Sequence, residues 1–159
     1  MEFIKKIEEL EAKIKLLQDI EEIKKLKARY GYCVDSQDYD GVMDCFAKEC
    51  KADYGMFGKC NSRNEIENWF RTIVPKAMPF CLHFMENPLI EVDGDRATGI
   101  WYFNVPVTNG EKNEASWMTG KYEDVYIRED GKWKYKELKC TIYYLSPLDK
   151  GWVKQNYAK

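Results

Sequence analysis

The sequence predicts an α+β fold, with helices laid against one face of a curved antiparallel sheet. Three observations predict it. Helical periodicity is confined to roughly the first half. From Cys81 onward, strand patterns follow one another and are punctuated by Asp93-Gly94-Asp95, Asn109-Gly110 and Glu129-Asp130-Gly131. No internal repeat, linker or low-complexity stretch divides the 159 residues, so one domain over 1–159 is expected.

Each element has its own signal. Phe3, Ile7, Leu10, Ile14 and Leu17 alternate by four and three, a short heptad seam with Lys and Glu between. A helix over 1–18 with this seam either lies on its own domain or meets another subunit. Asp19-Ile20-Glu21-Glu22 has the form of a capping box, and Ile20, Ile23, Leu26 and Tyr30 follow at globular-helix spacing. A second helix over 19–34 is expected, continuous with the first or separate from it. Asp35-Ser36-Gln37-Asp38 reads as a turn. Residues 39–47 read as a short helix burying Val42, Met43 and Phe46, and 51–54 as a short strand. Ser62-Arg63-Asn64-Glu65 is a second capping box, opening a helix with Ile66, Trp69, Phe70 and Ile73 on one face; Pro75 and Pro79 bound its end. Strands are expected at 81–85, at 89–92 after an interruption by Asn87-Pro88, and then at 97–107, 115–127 and 132–144. Pro147 closes the last, and Asp149-Lys150-Gly151-Trp152 forms a tail.

Composition narrows the function classes. The net charge is -2 and the basic residues are interleaved with acids, so no basic stripe is offered to nucleic acid. No apolar run approaches a membrane span, and the start Met1-Glu2-Phe3-Ile4-Lys5-Lys6 is charged rather than a signal core, which predicts a cytoplasmic protein with no membrane partner. Six cysteines without a signal sequence read as free thiols. There is no C-x-x-C pair, a single histidine cannot build a His-rich zinc site, and no Gly-rich phosphate loop occurs. Neither a metal nor a cofactor is expected. Aromatics at 14%, with eleven tyrosines, can line an apolar small-molecule pocket carrying a few hydroxyl donors.

The residues that point to chemistry are Tyr30, Asp35 and the sole histidine, His83. Tyr30 sits one helical turn from Cys33 and Val34 on an apolar face. Asp35 ends the helix, where a carboxylate is unfavourable to the dipole, and a locally misplaced residue hints at function. Histidine is the side chain that gives and takes protons near neutral pH. An aspartate can fix its tautomer, and a tyrosine can donate to a substrate oxygen.

The segment Asp19 to Lys27 with Tyr30, Cys33 and Asp35, then Ala97-Thr98-Gly99-Ile100-Trp101-Tyr102 and Ser146-Pro147-Leu148-Asp149-Lys150-Gly151-Trp152, resembles the SnoaL-like branch of the nuclear-transport-factor-2-like fold. Within that branch it is most similar to the bile-acid 7α-dehydratases. The resemblance implies a cone of curved sheet closed by the N-terminal helices. It also implies a catalytic set of Tyr30, Asp35 and His83, with Tyr54 as a second tyrosine. Trp101, Phe103, Trp117, Cys140, Ile142 and Tyr144 become candidates to line a hydrophobic substrate site. Ile142 stands where the bile-acid enzymes carry an arginine, and Phe103-Asn104-Val105-Pro106 offers no carboxylate where they carry an acid. The implied activity is a cofactor-independent dehydratase acting on a cyclic, steroid- or polyketide-like hydroxylated carbonyl compound. An isomerase or cyclase using the same dyad and a non-catalytic binding module are the alternatives. A homo-oligomer, trimer or dimer, is also implied.

Overall fold

The computed structural model describes residues 2–158; Met1 of the charged start and Lys159 at the far end of the expected domain lie outside them. Helix α1 runs unbroken from Glu2 to Asp35. Its Leu, Lys and Glu content and lack of proline sustain a rod of about 50 Å at 1.5 Å per residue. The expected helix start at Asp19 is therefore corrected. Asp19 is buried in mid-helix and accepts from Lys15 Nζ at 2.7 Å, Trp133 Nε1 at 3.2 Å and Arg128 Nη2 at 2.5 Å. Those long-range donors take the oxygens that a cap would have offered to backbone N–H groups.

Asp19 also marks a change of environment. Residues 2–18 are all exposed, including the whole heptad seam, so the helix does not lie on its own domain there. From Asp19 on, Ile23, Leu26, Tyr30 and Val34 pack into the core. Each buried side chain of that kind stabilises by about 1.5–3 kcal/mol.

Helix α2 (Tyr39–Asp44) is capped by Asp38, whose carboxylate accepts from Gly41 N at 2.9 Å. It ends three residues short of expectation, because Phe46 already pairs with Tyr135 and opens strand β1 (Phe46–Asp53). A 3₁₀ turn (Gly55–Phe57) and strand β2 (Lys59–Cys60) follow. Ser62 caps α3 (Arg63–Thr72) by accepting from Glu65 N, while the Glu65 carboxylate turns back to Asn61 N at 2.7 Å. A short α4 (Val74–Ala77) leads to four long strands: β3 (Phe84–Asp93), β4 (Arg96–Asn109), β5 (Glu114–Glu129) and β6 (Lys132–Pro147). Asn87-Pro88 bulges β3 rather than ending it: Asn87 has φ 50° and the register with β4 shifts between Glu86 and Leu89. A proline is tolerated at such a bulge because no ladder N–H is needed there. The tail closes with α5 (Gly151–Lys154).

The sheet order is β2-β1-β6-β5-β4-β3, with β1 parallel to β6 and the other neighbours antiparallel. Alternate residues of β4 and β5 face the helices, among them Trp101, Phe103, Met118, Tyr122, Asp124 and Tyr126. Gly120 has no room for a side chain: a Cβ would run into the Thr141 carbonyl oxygen and come within 2.8 Å of the Phe103 ring. Among the described residues no helix is long and apolar enough to cross a membrane.

Candidate active site

Two segments distant in sequence meet at the end of α1. Asp35 closes the helix, and His83 lies just before β3, in a stretch tied to β4 by the Cys81–Val107 bridge and by Leu82 N donating to Pro106 O at 3.1 Å. The carboxylate clamps the histidine twice. Oδ2 accepts the His83 backbone N–H at 2.9 Å, and Oδ1 lies 2.6 Å from ring Nδ1. With a carboxylate at Nδ1, that nitrogen carries the hydrogen and Nε2 is left as the basic atom. The His83 side chain is only 4% exposed.

Gly31 allows the approach. A Cβ there would lie 3.3 Å from His83 Cβ, so the smallest residue sits where helix and histidine nearly touch.

His83 shares a cavity of about 20 Å³ with Tyr30, Val34, Tyr54, Trp69, Phe70, Tyr122, Cys140 and Ile142. That volume is close to what one water occupies. An outer pocket of about 290 Å³ adjoins it, lined by Met56, Ala77, Val107, Leu145 and Tyr157 among others. Phe57, Met78 and Met118 belong to both linings and form the partition. Two of the three are methionines, whose unbranched side chains re-pack readily.

The electrostatics favour neutral donors. Burial pushes the Tyr30 phenol well above its ordinary value and does the same to Tyr54 and Tyr122. Burial raises the Cys140 and Cys81 thiols to about 12, Asp35 adding to the effect at Cys81. Both thiols are therefore protonated near neutral pH and are poor nucleophiles. Tyr54 and Trp69 stack with ring centroids 4.0 Å apart, and neither Tyr54 Oη nor Trp69 Nε1 has a hydrogen-bond partner among the described residues. Two unpartnered donors thus belong to side chains on the cavity wall.

Asp35, Cys81 and His83 bring three ligand-type atoms within 4.8 Å of one another. Two of the three form a hydrogen-bonded dyad, Asp35 accepting the His83 backbone N–H through Oδ2 and lying 2.6 Å from ring Nδ1 through Oδ1.

Of the residues singled out from sequence, Tyr30, Asp35, Tyr54, His83, Cys140 and Ile142 gather at the inner cavity. Trp101, Phe103, Trp117 and Tyr144 do not. Trp101 faces the helices but donates to Tyr126 Oη at 3.0 Å, and Phe103 packs behind the lining on Tyr122. Trp117 is on the odd-numbered, outer row of β5. Tyr144 stacks on Trp152 instead: the register of β5 on β6 slips between Thr119↔Tyr144 and Gly120↔Ile142, and this bulge reverses the face expected from Cys140 and Ile142.

Sequence reasoning missed Trp69 as a lining residue, the partition, and a second buried pair. Lys27 Nζ lies 2.7 Å from Asp124 Oδ2, both side chains fully buried. The Tyr122 ring centroid is 3.5 Å from that ammonium, and Tyr126 donates to Asp124 at 2.8 Å. The signal was present: Lys27 stands between Ile23 and Tyr30 on the apolar face, where a solvated charge has no place.

A curved sheet closed by helices, with an Asp–His pair on the wall of an apolar cavity, defines a class of small α+β proteins. The chain belongs to the SnoaL-like domain family, whose model matches residues 15–139. Among solved structures it is similar to hexachlorocyclohexane dehydrochlorinase LinA-type3 from Novosphingobium barchaimii LL02, with TM-score 0.79, 20% identity, and 86% of this chain and 94% of that one covered. It is also similar to a provisional scytalone dehydratase from Novosphingobium aromaticivorans DSM 12444, with TM-score 0.75, 17% identity and coverage of 82% and 88%. An uncharacterized protein of Mycobacterium tuberculosis (strain H37Rv) is 26% identical over 129 residues, 78% of this chain and 87% of that protein.

Proposed function

We propose that this protein is a cofactor-independent carbon–oxygen lyase, a dehydratase that removes water from a hydrophobic, cyclic, hydroxylated carbonyl compound. The observation that carries the reading is the 2.6 Å contact between Asp35 Oδ1 and Nδ1 of His83, a residue that lines an apolar cavity together with Tyr30. Two neighbours of the same fold bear the names of elimination catalysts, a dehydrochlorinase and a provisional scytalone dehydratase.

The chemistry follows from the groups. His83 Nε2 takes the proton α to the carbonyl, and Asp35 stabilises the imidazolium that forms. Tyr30, kept protonated by burial, donates to the carbonyl oxygen as it gains enolate charge. The enolate collapses to a carbon–carbon double bond, the β carbon–oxygen bond breaks, and the imidazolium proton leaves with the hydroxyl as water. Tyr54 and Trp69 supply further donors toward the same space. The low-dielectric, apolar lining strengthens each of these contacts.

Ile142 on the wall gives that end of the site an apolar character, and a steroid- or polyketide-like ring would enter by displacing the Phe57, Met78 and Met118 partition so that the inner cavity joins the outer pocket of about 290 Å³. Six buried free thiols suit a reducing compartment, and we place the reaction in the cytoplasm.

Incubation with a panel of cyclic β-hydroxy ketones, read by mass spectrometry, tests the reading. Loss of one water mass from a panel member, abolished in His83→Ala, is the expected result. Product of unchanged mass would make the protein an isomerase using the same dyad. Turnover equal in wild type and His83→Ala would remove the dyad from the mechanism.

A further inference from the structure

We infer that residues 3–17 of α1 form a parallel, in-register, two-stranded coiled coil with a second copy of this chain. The inference stands independently of the dehydratase reading, since the arm begins where the domain's own packing ends.

The seam is continuous and has no cover within the chain. Phe3, Ile7, Leu10, Ile14 and Leu17 are 76%, 40%, 50%, 55% and 66% exposed. Five large apolar side chains along one line of a helix form the kind of contiguous patch that monomers avoid. The other heptad position flanking its start is also apolar, Ile4.

The heptad assignment selects the partner. Ile7 and Ile14 fall at a; Phe3, Leu10 and Leu17 fall at d. Isoleucine at a with leucine at d favours two parallel strands over three or four. The next a and d positions are Glu21 and Lys24, both exposed, so the seam stops after Leu17. It stops where Arg128 and Trp133 fasten Asp19 to the domain.

Charge selects the orientation. In a parallel pair, Lys6 at g faces Glu11 at e of the second copy, and Lys13 faces Gln18, with each contact made twice. Turned antiparallel, the register that packs Ile7 on Leu10 would set Lys6 against Lys13, and the register that packs Ile7 on Leu17 would set Lys13 against Lys13 and Glu11 against Glu11. An isolated helix this short is marginal because its first turn is costly to nucleate. Here the docked half, Asp19 to Asp35, already holds the helix.

Sedimentation equilibrium of the full chain is the test, with circular dichroism to verify folding. The expected species is a dimer of the 18.8 kDa chain, and Ile7→Lys/Ile14→Lys should raise its dissociation constant by at least about 100-fold while leaving the domain folded. Orientation is read by mild oxidation, against the background of six native cysteines that are all buried. Phe3→Cys should cross-link to itself. A mixture of Phe3→Cys and Leu17→Cys chains should give only the two self-linked products. A chain that stays monomeric at high concentration would overturn the inference and leave the seam to another protein's helix. So would a trimer, an oligomer indifferent to the lysine substitutions, or a cross-link between the two different cysteine variants.

Discussion

Two acid–base pairs fasten α1 to the rest of the molecule, and their differences are instructive. Asp35–His83 stands at the helix end, on the wall of a cavity, with one imidazole nitrogen still free for chemistry. Lys27–Asp124 lies about two turns back, fully sealed, with the ammonium held between a carboxylate and the Tyr122 ring. Burial pushes Lys27 down and Asp124 up, and each partner's charge opposes the other's shift. The first pair leaves a ring nitrogen unclaimed beside a cavity, as the proposed chemistry requires. The second is sealed, so it can only hold. A buried ion pair is also no efficient source of stability, because desolvation consumes most of the attraction.

The sharpest way to break the comparison is to remove one sealed charge. Lys27→Met strands Asp124, whose Oδ1 already lacks a partner among the described residues, and should cost about 3–5 kcal/mol in urea unfolding. Adding Asp124→Leu should recover most of that loss, and failure to recover would mean that the pair fixes the core's geometry.

His83→Ala should reverse the pattern, lowering turnover by about 100-fold or more while moving stability far less than Lys27→Met. Asp35→Asn should come close behind in turnover, since an amide can leave the imidazole in the wrong tautomer. A thermal melt alongside each rate measurement separates the two kinds of loss.

A third carboxylate, the buried Asp19 on α1, extends the series. Burial works to raise Asp19, but the hydrogen bonds from Lys15, Arg128 and Trp133 outweigh it, so its folded value lies below the ordinary 3.8. A depressed folded value gives stability that is present above the unfolded value and is lost as pH falls through the folded one. Wild type should therefore lose stability below about pH 4 more steeply than Asp19→Asn, by denaturant titration across that range. The smallest effect is expected from Gly31→Ala. Its Cβ would press on His83 at 3.3 Å, so turnover should drop a few-fold while stability stays within about 1 kcal/mol of wild type, helix propensity offsetting the crowding.

Much of the fold was legible. The order of helices before strands, the hairpin turns at Asp93-Gly94-Asp95 and Glu129-Asp130-Gly131, and the Ser62 cap all rest on local chemistry and stand in the structure. The gathering of Tyr30, Asp35 and His83 came from residue type and resemblance. Of the four misplaced lining residues, only Tyr144 was turned away by a bulge, where β6 slips against Thr119/Gly120 and alternation along one strand does not reveal it. Trp117 lies on the outer row of β5, and Trp101 and Phe103 face inward but pack outside the cavity lining. The capping box at Asp19 failed for a related reason: its donors, Arg128 and Trp133, come from more than a hundred residues away.

The sequence by itself determined which segments become helix or strand and placed an amphipathic seam on α1, since both follow from propensity and period along a few neighbouring residues. Only the tertiary structure decided which aspartate is sealed against a lysine, which strand residues reach the cavity, and where the seam's helix leaves the domain. Those outcomes depend on contacts between distant segments, whose pairing is fixed by the shape of the closed sheet.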